Sequence, residues 1–194
     1  DGERWDKLPD GVLRRELVMI FNANDTPYSP AGIHNAIEAM KLQIPIMAEP
    51  SRHLIGFQNG VYDLKARQFR PHCANDWLQH HNDIIFTEPR PDENLARHAP
   101  HFAKWLAHAA NDELPKMASI RAALFMILSN RFDWQLFLEV TGEDGSGKSV
   151  FTHIATLLAG RQNTASGNMA ALDQARGRAQ FVGKSLITLP DQVK

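Results

Sequence analysis

The alternation of apolar and polar positions divides the chain into stretches of different period. Residues 8–21 (LPDGVLRRELVMIF) repeat Leu13, Leu17 and Phe21 at a spacing of four, which predicts a helix with Asp10 as its N-cap. Asn22 to Pro30 is polar and carries two prolines, so it reads as a loop. Ser29 before Pro30 has the form of an N-cap followed by proline at the first helical position. The helix it opens is expected to run to about Leu42, with Ile33, Ile37 and Met40 in phase. Residues 53–71 (HLIGFQNGVYDLKARQFRP) then change to a period of two. Strands are expected at 54–58, 61–64 and 67–70, the first two joined at Asn59-Gly60, a strong hairpin signal. Helices follow at 92–110, with Leu95, Phe102, Trp105 and Leu106 as core candidates, and at 113–130, with Met117, Ile120, Leu124, Ile127 and Leu128.

Residues 134–140 (WQLFLEV) form a short run rich in aromatic and aliphatic side chains, which predicts a buried strand. Residues 150–158 read as a helix capped by Gly160, and 184–189 (KSLITL) as a second buried strand stopped by Pro190. This order gives an α+β front region joined to a truncated α/β core. The boundary is expected within 90–112, dividing the chain into 1–110 and 111–194.

Composition narrows the class. The chain has 194 residues with 22 acidic and 21 basic side chains and a net charge of -1, which excludes a tail that coats nucleic acid by charge alone. Cys73 is the single cysteine, so no internal disulfide can form and a reducing compartment fits. No apolar run approaches the length of a membrane span, and no leader pattern opens the chain. It begins at Asp1 rather than Met and is expected to be part of something longer.

The chemistry concentrates at residues 142–149, Gly-Glu-Asp-Gly-Ser-Gly-Lys-Ser, which match the P-loop pattern G-x-x-x-x-G-K-[ST]. Gly142, Gly145 and Gly147 allow the tight turns that point successive N–H groups at phosphate oxygens. The helix opened there adds the positive end of its dipole. Lys148 supplies a mobile charge to the β- and γ-phosphates, and Ser149 a hydroxyl to Mg2+. Glu143 and Asp144 must face solvent while their N–H groups face inward, and Ser146 and Val150 complete the expected ATP-binding stretch. The acid that holds the Mg2+ shell is expected at Asp191, after the 184–189 strand; Gln192 follows it, where many such sites carry a second acid.

Two stretches give the chain a resemblance to the phage and plasmid primase–helicases of helicase superfamily 3, a group that includes satellite-phage alpha-type proteins and poxvirus-type nucleoside triphosphatases. One is Ile55 to Leu64 (IGFQNGVYDL) with Arg70-Pro71-His72; the other runs from Phe102 through Lys148-Ser149 to Gly160. Residues 178–187 (RAQFVGKSLI) are similar to that family's approach to Walker B, although Leu189-Pro190-Asp191-Gln192 stands where the family carries paired acids. The resemblance spans roughly 50–191. It implies an ATP-driven DNA helicase of replication, often fused to a primase. Such proteins act on single-stranded or forked DNA as hexameric rings with Mg-ATP between subunits, here in the cytoplasm of a bacterial host. By the same resemblance Lys148, Ser149 and Asp191 take the catalytic and metal positions, while the sensor and arginine finger fall beyond Lys194.

Other readings are open. A P-loop ATPase of another kind, a small-molecule kinase, or an assembly module with little chemistry of its own would share the loop. His72, Cys73, His80 and His81 lie close in sequence but lack the spacing of a zinc site. Arg67, Arg70, Arg176, Arg178 and Lys184 read as a solvated face rather than a phosphate track.

Overall fold

The computed structural model describes residues 4–49 and 51–190. They pack as two units, one of residues 5–49 and the other of residues 51–190 together with Arg4. This division by packing is separate from the boundary expected at 110/111.

The first unit is a helical pair, α1 (Asp10–Ala23) and α2 (Pro30–Gln43). Ser29 caps α2 as its sequence predicts: its Oγ accepts a hydrogen bond from the Gly32 N–H at 3.1 Å, and Pro30 occupies the first turn. Asp10 does not cap α1. Pro9 holds that position, and Asp10 sits in the first turn, where its carboxylate meets Lys41 Nζ of α2 at 2.8 Å.

The second unit begins with an antiparallel sheet of β1 (Leu54–Phe57), β2 (Gly60–Asp63) and β3 (Gln68–Arg70). Phe57 pairs with Gly60, so the hairpin loop is Gln58-Asn59 and Gly60 already belongs to the strand. Leu54, Val61 and Leu78 form its buried cluster. The segment 82–86 runs along β1. Asn82 N–H donates to Gly56 O, and Gln58 N–H donates to Ile84 O. At the hairpin tip Asn59 Nδ2 donates to Phe86 O at 3.0 Å while its Oδ1 accepts from Phe86 N–H at 2.8 Å. The Phe86 ring stacks on Phe69 with 4.5 Å between centroids.

The helix expected at 92–110 is two helices, α3 (Leu95–His98) and α4 (Pro100–Ala109). Ala99 separates them with φ -137° and ψ 59°, because the ring of the following proline disfavours helical backbone at the residue before it. Next come α5 (Leu114–Leu128) and α6 (Lys148–Ala159). Leu106 of α4 and Ala110 just after it are fully buried, and Leu124, Ala155 and Ala159 are buried on the helices that follow. Gly160 ends α6 at a positive φ of 89°, which favours glycine.

Two strands then pair in parallel: β4 (Thr164–Ser166), which the sequence does not announce, and β5 (Leu186–Thr188), inside the expected 184–189 strand. Between them lie α7 (Met169–Asp173) and α8 (Ala175–Arg178).

The buried strand expected at 134–140 is not formed. Phe132–Trp134 is a 3-10 turn, Gln135 is left-handed at φ 53°, and Phe137 is 88% exposed. A strand exists by its ladder, and among the described residues none pairs with this run. The described architecture is therefore α+β with small sheets, and the α/β P-loop core expected after residue 111 is not assembled in it.

Candidate nucleotide site

The loop at 142–149 is built from glycine conformations that other residues rarely take. Gly145 has φ 82° and Gly147 φ 92°; Gly147 is also the residue from which α6 springs. A Cβ on Gly147 would lie 2.6 Å from Trp105 Nε1, and one on Gly142 would lie 2.6 Å from Ser146 Oγ. Glycine is thus needed here for space as well as for backbone angle. Ser146 N–H closes a turn onto Glu143 O at 3.2 Å. Ser146 Oγ is buried and has no hydrogen-bond partner. A buried hydroxyl in that state is costly unless something else satisfies it.

Lys148 opens α6, and its ammonium reaches back across the loop. Nζ donates to Gly142 O at 2.7 Å and to Glu143 O at 2.8 Å. An ammonium has three donors, so one remains for an anion in front of the loop. Ser149 and Val150 follow in the first turn of α6 and are exposed. The first N–H groups of a helix lack intrahelical acceptors, and a helix of twelve residues adds a dipole whose positive end lies at the loop. Glu143 and Asp144 are exposed, as expected of carboxylates beside a phosphate-binding turn. Asp191 and Gln192 lie outside the described residues.

Two side chains that sequence reasoning did not assign to this site touch it from α4. Trp105 Nε1 donates to Gly147 O at 3.4 Å, and His108 Nε2 lies 3.3 Å from Gly145 O. Trp105 was expected only in the core; it is half-buried, and its ring lies 5.5 Å from that of Phe102. The one sequence signal was their spacing of three, which places both on one helical face.

A second polar centre ties α6 to the segment before it. Asn163, 5% exposed, donates from Nδ2 to His81 O and to Ala159 O, both at 2.8 Å, and its Oδ1 lies 3.2 Å from His80 Nδ1. Its own carbonyl accepts from Ser185 N–H just before β5. Among the described residues no three His, Cys, Asp or Glu side chains converge as metal ligands. The expected cations are spread: Arg70 makes a bidentate pair with Asp76, and Lys184 Nζ donates to Gln162 O. The Asp76 hydrogen bond raises the Arg70 pKa above its ordinary value.

No described helix is long and apolar enough to cross a membrane. Residues 24–110 match the family model described as D5 N terminal like, a stretch that includes α2, the three-stranded sheet, α3 and α4 and ends before the phosphate loop. The match supports a relationship of this region to the primase–helicase proteins.

Proposed function

We propose that this chain is the ATP-binding part of a phage-type DNA primase–helicase, one that couples ATP hydrolysis to DNA unwinding in replication. The observation that carries the reading is the loop at 142–149. Its left-handed glycines, its Lys148 and a twelve-residue helix converge on one point, behind a region matching D5 N terminal like.

The residues fit a nucleoside triphosphate. The backbone of 143–149 and the start of α6 would take the phosphate oxygens, and the buried Ser146 hydroxyl has no protein partner that competes for it. Lys148 holds its charge at the mouth through two carbonyls, so a phosphate adds a third partner without requiring the side chain to be reordered. Its role is to stabilise charge on the transferred phosphoryl group. Ser149, with Asp191, would hold Mg2+, which neutralises charge between the β- and γ-oxygens when bound. DNA, single-stranded or forked, and further copies of the chain in a ring are the proposed partners, in the cytoplasm of a bacterial host.

The test is titration of the chain and its Lys148→Ala variant with a fluorescent ATP analogue and Mg2+. Binding by the parent and a loss of at least about tenfold in the variant are expected, since a charge-assisted contact contributes on the order of 1.5–3 kcal/mol. Equal affinity in the two proteins refutes the reading.

A further inference from the structure

The carbonyls on the outer side of the phosphate loop are gripped by a helix that belongs to the preceding region. We infer that Trp105 and His108 of α4 are positioning residues for the nucleotide site, forming a two-point clamp that fixes the direction of the loop's amides. The inference rests on the proposed nucleotide reading and names two residues through which that site is set.

The argument is one of peptide geometry. A trans peptide is planar, so its C=O and the following N–H point in opposite directions. Holding Gly147 O therefore aims Lys148 N–H the other way, away from α4. Gly147 O already accepts from Phe151 N–H at 3.0 Å as the first bond of α6, and the indole adds a second donor at 3.4 Å. Holding Gly145 O fixes the peptide plane two residues upstream, whose N–H, that of Ser146, closes the loop's own turn onto Glu143 O at 3.2 Å. A carbonyl can only accept, so this contact is a hydrogen bond in the tautomer that carries its proton on Nε2. Between the two grips lies Ser146, whose buried hydroxyl has no partner. The clamp's base is firm, because Leu106 on the same helix and Ala110 just after it are fully buried. Gly147 leaves room for the indole, since any Cβ there would collide with it.

A loop of alternating glycines samples many backbone states, and a loop already turned inward binds anions without the cost of ordering. The clamp would act on affinity more than on stability. It would also make α4, within the stretch matched as D5 N terminal like, a route by which that region sets the loop.

The test uses Trp105→Phe, which keeps an aromatic ring and removes the donor, His108→Ala, and His108→Gln, which restores an N–H. Affinity for a fluorescent ATP analogue with Mg2+ is measured beside the thermal midpoint without nucleotide, with Lys148→Ala as the reference. Trp105→Phe and His108→Ala should each weaken binding about threefold to tenfold, the range expected for one lost hydrogen bond. The unliganded midpoint should hold in each, and His108→Gln should recover most of the affinity. If both bind as the parent does while Lys148→Ala fails to bind, the clamp is refuted and the nucleotide reading stands. Weakening that appears only with a lower midpoint, and that glutamine does not rescue, also overturns the clamp. If Lys148→Ala itself binds as the parent does, the nucleotide reading falls first, and the clamp with it.

Discussion

Asn163→Ala should be among the most damaging small substitutions in this chain. The parent side chain satisfies two carbonyls, His81 O, remote in sequence, and Ala159 O at the end of α6, each at 2.8 Å, and places its oxygen beside His80 Nδ1. Alanine removes both donors at a site only 5% exposed and leaves the carbonyls facing a small cavity. Each net hydrogen bond contributes about 0.5–1.5 kcal/mol, and stranding a buried acceptor costs more, so a loss of roughly 2–4 kcal/mol is expected. For a chain of this size the thermal midpoint should fall by roughly 5–15 °C. The assay is thermal and urea unfolding followed by far-ultraviolet circular dichroism. Asn163→Asp sharpens the test. A carboxylate can only accept, so it would set oxygen against two carbonyl oxygens, and it should destabilise more than alanine does. An aspartate variant as stable as the parent would falsify this account of how α6 is tied to residues 80–82.

Gly147→Ala introduces a methyl group 2.6 Å from Trp105 Nε1 at a backbone angle of φ 92°. Nucleotide binding should weaken by at least about fivefold, as strain of roughly 1–3 kcal/mol falls on the loop itself; unchanged affinity by fluorescence titration would contradict the geometry. Asp63 Oδ1 accepts from Lys65 N–H at 2.8 Å and Ala66 N–H at 3.0 Å. The backbone hydrogen bond from Ala66 is the largest cause holding its carboxyl below the ordinary value, with further help from Lys65 and the charge of His53. A group depressed in the folded state adds stability above its unfolded pKa and loses it as pH falls towards the folded one, so this contribution should fade below about pH 4. Acid titrations of the parent and Asp63→Ala, followed by circular dichroism, should differ most above that point and converge below it; parallel curves throughout would rule the contribution out.

What could be read from the sequence was local. Ser29-Pro30 announces its helix because the cap and its target lie three residues apart. The 54–70 strands are visible because alternation and a short loop act over a few positions. The phosphate loop could be recognised because its chemistry demands fixed residue types at fixed spacing. Most of the losses are nonlocal. The run at 134–140 has the composition of a buried strand, but pairing depends on a neighbour, and no composition supplies one. β4 is three residues of Thr, Ala and Ser, with no period to detect. Trp105 and His108 show only a helical spacing, and nothing in the chain ties positions 105 and 147 until α4 and α6 pack through α5. The fracture at Ala99 was legible in principle from Pro100 alone.

The tip of the first hairpin carries a chemical clock. Asn followed by glycine is the dipeptide whose side-chain amide most readily loses ammonia, leaving aspartate or its isomer. Asn59 sits in that context, with both ends of its amide committed to Phe86. While those two bonds persist they restrain the rotation that the reaction needs. Once ammonia is lost, an oxygen replaces the nitrogen that donates to Phe86 O, and the two oxygens repel. Aged preparations should therefore loosen first at residues 82–86, giving a charge variant whose origin is one side chain standing in for a peptide unit.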